Sequence, residues 1–218
     1  REARVVHTYG RSTPDLLRLR AGTADGAPDA VVLPGSHDEV PEVLRACAEH
    51  GVAVVPFGGG TSVVGGLEPL RGGHSALVSL DLRRLDRLVA VDDVSLTATL
   101  QAGLRGPEAE ALLGEHGLML GHYPQSFKYA SIGGFAATRS SGQASSGYGR
   151  FDAMVVGLKV ATPEGTLDLG RSPANAAGPD LRQLFLGSEG VLGVITEVTM
   201  RVVRIPEERR YEAWSFPD

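Results

Sequence analysis

Apolar runs and amphipathic stretches alternate along the first half of the chain. An amphipathic helix is predicted over Pro14–Arg20, and Ala30–Leu33 reads as a buried strand. Ser36, with Glu39 three residues on, predicts a capping box. On the helix it would open, Val40, Val43, Leu44 and Cys47 form one apolar stripe, and Gly51 marks its end. Val52–Val55 is the next strand, and this β-α-β opening predicts two parallel strands side by side. Ala76–Leu80 is a further strand. Leu96, Ala98, Leu100 and Ala102 alternate with Thr97, Thr99 and Gln101, the pattern of a half-buried strand. Pro107–His116 places Ala109, Leu112 and Leu113 on one helical face, and Gly117 ends it.

The second half is rich in strands. Met154–Thr162 and Thr166–Leu169 flank Pro163, Glu164 and Gly165, a hairpin signal. Asp180–Phe185 predicts a short helix, and Val194–Val203 a long strand with Val198, Met200 and Val202 on one face. No internal repeat is present. The expected class is α+β, two-lobed: a small N-terminal α/β lobe joined to a larger lobe containing an antiparallel sheet, with a cofactor between them.

Composition narrows the function classes. The chain has 218 residues and a formal net charge of −5, which argues against a nucleic-acid surface. Arg83, Arg84 and Arg87 are the densest basic cluster, but Asp81 and Asp86 accompany them, as on a solvated turn or helix face. The single cysteine excludes an intrachain disulfide and fits a reducing compartment, the cytoplasm. Its place on the apolar stripe reads as a core thiol rather than a nucleophile. No apolar run approaches the roughly 20 residues of a membrane helix, and no signal peptide is visible. The first residue is Arg1 rather than Met, so a native start upstream is expected. The histidines show no metal-ligand spacing.

Two stretches carry the chemistry. In VVPFGGGTSVVGG, residues 54–66, a strand runs into three glycines, two hydroxyls and a second glycine pair. Glycine permits positive φ and close approach to a ligand, and consecutive backbone N–H groups make an anion-binding concavity suited to a diphosphate. A tight turn after a strand is the simpler reading of the same residues. Residues 121–149, GHYPQSFKYASIGGFAATRSSGQASSGYG, are dense in Ser, Thr, Gly and Ala. So little apolar surface excludes ordinary core. A flexible linker is one reading, but Tyr123, Phe127, Tyr129, Phe135 and Tyr148 interrupt the tract. Rings, hydroxyls and small residues together suggest a surface moulded around a large cofactor. The Rossmann fingerprint fails because Val63 stands at its third glycine. The P-loop fails because Gly66 and Leu67 replace its Lys and hydroxyl.

PFGGGTS at 56–62, GHYPQS at 121–126, ASIGGFAATRSSG at 130–142 and GSEGVLGVITE at 187–197 occur in the order of another family. The chain resembles the FAD-binding domain (PCMH type) of the vanillyl-alcohol oxidase/p-cresol methylhydroxylase flavoproteins. Within them, the middle motifs and YGRFDAMV look closest to the alkyldihydroxyacetonephosphate synthase family. The resemblance implies an FAD-binding domain over 1–205, with 206–218 the start of a cap domain absent from this chain. It implies that Pro56, Phe57, Gly58, Gly59, Gly60, Thr61 and Ser62 wrap the FAD diphosphate. Gln125, Ser126, Phe127, Lys128, Tyr129, Ala130 and Ser131 would bind diphosphate, ribityl chain and flavin edge, together with Thr138, Arg139, Ser140 and Ser141. Arg139 reads equally as a structural salt bridge. Glu189, Gly190, Val191, Leu192, Gly193, Val194 and Ile195 would hold the adenine side through backbone contacts. Some relatives attach flavin through a histidine beside the glycine loop. Thr61 occupies that place and no His or Cys lies within 57–66, so non-covalent FAD is expected.

His122 matches a histidine near the flavin in the synthase family. It suits proton transfer or anion stabilisation, and the alternative is a structural loop histidine. The implied activity is exchange of an acyl group on a dihydroxyacetone phosphate ester for a fatty alcohol, redox-neutral overall. The second reading is an FAD-linked oxidase or dehydrogenase of a 2-hydroxy acid such as lactate or glycolate. The third is a cofactor-binding module without turnover. Partners implied are FAD and a small-molecule or lipid-like substrate shared with the cap. A homodimer and peripheral membrane attachment are left open for the full-length enzyme.

Overall fold

The computed structural model describes residues 2–23, 26–170, 176–208 and 210–217. Arg1 lies outside them, as do positions 209 and 218 of the expected cap segment. The chain opens with α1 (Glu2–Val6) and α2 (Thr13–Arg20). Ser12 caps α2: its Oγ accepts the Asp15 N–H at 3.1 Å, while the Asp15 carboxylate accepts the Ser12 N–H at 3.2 Å. Then follow β1 (Ala30–Val32), α3 (Glu39–Glu49), β2 (Val52–Phe57) and β3 (Ala76–Asp81). The three strands form a parallel sheet in the order β1-β3-β2. β1 and β2 are parallel as expected but are not neighbours, because β3 pairs with both and takes the place between them. The predicted Ser36 capping box is also absent. α3 begins at Glu39, whose carboxylate accepts the Gly35 N–H at 2.6 Å. The 36–38 turn is tied elsewhere, with the His37 ring nitrogens each 2.7 Å from a hydroxyl, Thr196 and Thr166.

The larger lobe contains β4 (Leu88–Asp92), β5 (Thr97–Gln101), α4 (Gly106–Gly114), β6 (Leu118–Met119), α5 (Ile132–Ala137), α6 (Ser145–Tyr148), α7 (Phe151–Met154), β7 (Val155–Thr162), β8 (Gly165–Leu169), α8 (Arg182–Phe185), β9 (Val194–Arg201) and β10 (Val203–Arg204). Its main sheet is antiparallel throughout, in the order β4-β5-β9-β7-β8. The predicted strand over 194–203 is interrupted at Val202, and β10 leaves to pair with β6. Val198, Met200 and Val202 are nevertheless all buried. Leu96, expected in β5, sits in the preceding turn with φ +51°, and Met154 ends α7 rather than opening β7.

Two cores hold the lobes. Val40 and Leu44 of α3 pack with Leu80, Leu82 and Leu85, and with Ala102, Ala161 and Val194 from the larger lobe. Burying side chains of this size stabilises by about 1.5–3 kcal/mol each, and the mixed origin of the cluster joins the lobes. The second core lies on the antiparallel sheet and includes Ala130, Ile132, Phe135 and Ala136. Part of the small-residue segment 121–149 therefore belongs to the core, against expectation, while Gln125, Lys128 and Tyr129 stay exposed. Its glycines and alanines let α5 lie close to β5: a Cβ on Gly133 would stand 2.7 Å from the Ala102 Cβ. Phe135 then reaches the interior.

Candidate functional site

Phe57 ends β2 in register with Asp81 of β3. The chain then leaves the sheet, and the glycines begin. A Cβ on Gly58 would overlap the Ser131 Oγ, and one on Gly59 would overlap the Tyr129 carbonyl. Their lack of side chains lets two stretches of chain far apart in sequence meet at the cleft wall. Positive φ enters only at Gly60 (+68°) and Gly65 (+81°). Among the described residues, no backbone bond is donated by Gly58, Gly59, Gly60, Thr61 or Ser62. The Ser62 hydroxyl is buried without a partner.

This loop forms one wall of a cleft of about 370 Å3. All of Pro56, Phe57, Gly58, Gly59, Gly60, Thr61 and Ser62 line it. Ser126, Ala130, Ser131, Thr138 and Ser140 line the second wall, and Glu189, Gly190, Gly193, Val194 and Ile195 the third. Val63, Val64, Gly66, Leu67, Leu82, Gly133, Gly134, Phe135 and Ala137 also line it and were not among the residues assigned to the cofactor. Val63, Val64, Gly66 and Leu67 lie at or beside the second glycine pair, which was a visible signal.

Other predicted residues lie elsewhere. Gln125, Lys128, Tyr129, Ser141, Val191 and Leu192 are exposed and outside the cleft wall. Phe127 covers Gly106, where a Cβ would stand 2.5 Å from its ring. Arg139 is a clamp rather than a cleft residue. Its Nε donates to Leu186 O at 2.9 Å, one terminal nitrogen donates to Gln183 O at 3.2 Å, and the other pairs with Asp152 at 3.2 Å. Both Arg139 and Glu189 hold positive φ, +49° and +52°. The Glu189 N–H donates to Ala137 O at 3.0 Å. The end of α5 and the Glu189 loop are thereby fastened together, and strain at the two residues is offset by these bonds.

His122 is buried, 1% exposed, between Phe135 and Phe151, with ring centroids 5.0 and 5.1 Å away. It does not line the cleft. Its Nε2 lies 3.1 Å from the Ser140 Oγ, which does, and its Nδ1 has no partner. Burial among rings disfavours the imidazolium and lowers its pKa to about 4. His122 is neutral at ordinary pH.

Glu189 is the one ionisable side chain in the cleft wall among the described residues. Its carboxylate faces Gly66, where a Cβ would stand 2.5 Å from Oε2. With no Lys or Arg in the wall, a bound anion would be met by loop N–H groups and hydroxyls, a concavity that suits a diphosphate. The apolar faces of Phe57, Leu82, Phe135 and Ile195 suit an aromatic ring system. No group of metal-ligating side chains occurs among the described residues, and no helix there is long and apolar enough to cross a membrane.

Residues 28–169 match the family described as FAD binding domain. Alkyldihydroxyacetonephosphate synthase of Trypanosoma brucei brucei is 40% identical over 216 residues, covering 99% of this chain and 35% of that protein. A mitochondrial cytochrome-type D-lactate dehydrogenase of Arabidopsis thaliana is 38% identical over 192 residues, 87% of this chain and 33% of its own length. A solved structure of alkyldihydroxyacetonephosphate synthase superposes with a TM-score of 0.89 at 42% identity, over 94% of this chain and 37% of that one. The chain spans about a third of the length of the curated relatives it matches.

Proposed function

The chain belongs to the family of FAD-binding domains, and on that premise we propose that it is the cofactor-holding part of a flavoenzyme of the alkyldihydroxyacetonephosphate synthase type. The observation that carries the reading is the meeting of three glycine-rich stretches, far apart in sequence, around one cleft with unspent N–H groups. Gly58–Ser62 would receive the diphosphate. Ser126, Ser131, Thr138 and Ser140 would face the ribityl chain and flavin edge, and the Glu189–Ile195 stretch the adenosine. When bound, FAD supplies a reactive isoalloxazine ring, and the chain's own residues orient it and exclude water. His122 would act on the cleft through Ser140, as a neutral partner that fixes the hydroxyl. Attachment is non-covalent in this reading, supported by a wall with no His, Cys or Tyr among the described residues.

The finer assignments rest on the same similarity. Residues up to about 205 would form the FAD domain, and 206–218 would lead toward a substrate domain. Tyr211, Trp214 and Phe216 there are 89%, 75% and 80% exposed, as expected for groups that another part of a longer protein covers. The substrate would be a dihydroxyacetone phosphate ester and a fatty alcohol. Similarity to the plant D-lactate dehydrogenase supports a second reading, oxidation of a 2-hydroxy acid. Full-length protein assayed on both substrate sets, the second with an artificial electron acceptor, separates them.

Titration of the purified chain with FAD should reach one flavin per chain. Acid precipitation of the yellow complex should then leave the flavin in the supernatant. Flavin in the pellet would overturn non-covalent attachment, and absence of binding would overturn the cofactor reading.

A further inference from the structure

The stretch His7–Arg11 lies outside the 28–169 family match and lines no part of the cleft. It nevertheless touches the back of the glycine loop at two points. At the first, the His7 ring packs on Phe57 with centroids 4.2 Å apart. Phe57 in turn lies under Gly60, where a Cβ would stand 2.6 Å from its Cζ. His7 is itself fixed: its Nε2 lies 2.7 Å from Oδ2 of Asp81, the β3 residue paired with Phe57. Asp81 is wholly buried and also accepts the Arg83 Nε at 2.7 Å and the Arg83 N–H at 2.9 Å. Asp81 thus belongs to a buried cluster, not to the solvated face expected from its neighbours.

At the second point the Arg11 N–H donates to the Ser62 carbonyl at 2.7 Å. Gly10 is packed so closely that a Cβ there would overlap the same carbonyl oxygen. Asp15, which completes the capping box of α2, has its Oδ2 3.4 Å from that Cβ position. The arm therefore bears on both ends of the loop, on Phe57 and on Ser62, with the N–H groups between them.

We propose that this N-terminal arm sets the position of the glycine loop, and that His7 and Gly10 are positioning residues for the cofactor. The inference rests on the proposed binding of the FAD diphosphate at Gly58–Ser62. Burying a polar pair such as His7–Asp81 is expensive, and apolar residues would cover Phe57 more cheaply. What the pair supplies is one defined place for the ring. Donors that hold a ligand through backbone N–H groups need placing within about 0.5 Å, and a loop of glycines cannot enforce this from within.

The test uses Gly10→Ala. Gly10 is not in the left-handed region, so the alanine is opposed by packing against Ser62 and Asp15 rather than by backbone strain. FAD affinity is measured by flavin fluorescence well below the melting temperature, with apoprotein melting and the visible circular dichroism of bound flavin on the same preparations. Gly10→Ala should weaken FAD by about tenfold or more and alter the flavin spectrum. Leu113→Ala, a core truncation in the larger lobe, should lower the melting temperature and leave affinity and spectrum as in wild type. His7→Ala should weaken FAD as well, and His7→Gln, whose amide still donates to Asp81, should restore most of the affinity. Wild-type affinity and spectrum in Gly10→Ala, or equal loss in Leu113→Ala, would reduce the arm to ordinary packing. Failure of the unaltered chain to bind FAD would instead overturn the cofactor reading.

Discussion

The glycine loop at 58–62 and the small-residue segment leading into α5 look alike in sequence and are used in opposite ways. In the loop, backbone N–H groups are left without backbone partners and the Ser62 hydroxyl is buried and unpaired. At the start of α5 the same kinds of group are spent internally. The Ile132 N–H donates to Leu104 O at 2.8 Å, the Gly133 N–H to Ala102 O at 2.9 Å, and the Gly134 N–H to Ser131 Oγ at 3.2 Å. One wall keeps its donors available, and the other uses them to pin a short helix to the turn after β5 and bury Phe135. Most of the loop is half-buried along the cleft, where successive free N–H groups form an anion-binding concavity. An unspent row can receive a ligand, and a spent one serves architecture. Small residues alone do not distinguish the two.

Gly59→Val should break the contrast most severely, because Gly59 is where the walls meet. The new side chain would be driven into the Tyr129 carbonyl and the Ala130 Cα. Overpacking of this kind costs about 1–3 kcal/mol where neighbours can yield, and a backbone carbonyl yields poorly. FAD binding should be abolished, and the melting temperature of the apoprotein should fall with it. A glycine needed only for close approach of the ligand would leave the apoprotein intact on substitution, and Gly59 is not in the left-handed region. A variant that melts like wild type without FAD yet fails to bind it would show that the glycine serves the ligand after all.

How far this was legible follows from the range of the interactions. The loop was read correctly as a strand running into glycines, because both signals are local. The order β1-β3-β2 was not, since which strand takes the middle depends on β3, more than 20 residues beyond β2 in register with it. α5 escaped because its six residues are shorter than two helical turns and mostly small, so no apolar period develops. The His7–Asp81 pair is 74 residues apart in sequence, and neither residue stands in a motif. Burial of His122 between two rings was equally invisible, because the motif reveals its company in sequence and not its depth.

His122 sharpens the comparison at intermediate cost, since it is a spent group that still reaches the cleft. Its folded pKa, about 4, lies below the ordinary 6.5. Below pH 6.5 the unfolded chain binds a proton that the folded chain refuses. Stability is therefore whole above that value and declines as pH falls toward 4, by up to about 3 kcal/mol at roughly 1.4 kcal/mol per unit. His122→Gln should flatten this part of the profile, read as the difference in unfolding free energy between pH 7 and pH 4.5, while FAD stays bound. An unchanged slope would mean that water reaches Nδ1 and that the ring is not isolated between Phe135 and Phe151. Loss of FAD together with stability would make it a structural histidine and nothing more.

The smallest effect is the most discriminating. Ser62→Ala removes a hydroxyl that is buried and has no partner in the protein, so the apoprotein should lose nothing and is expected to gain a few tenths of a kcal/mol in unfolding free energy, because the cost of an unsatisfied buried group disappears. If that hydroxyl is held for the cofactor, FAD affinity should fall by about 0.5–1.5 kcal/mol, a net hydrogen bond, or roughly twofold to tenfold. Opposite signs in the two measurements are the signature of a donor reserved for a ligand. Ser131→Ala is the counterpart in the other wall. Its Oγ caps α5, so stability should fall by about 0.5–2 kcal/mol, and affinity should fall with it, through the shift of α5 and the loss of a cleft hydroxyl. If both substitutions move stability and affinity in the same direction, the two walls are built alike, and the distinction between reserved and spent donors fails.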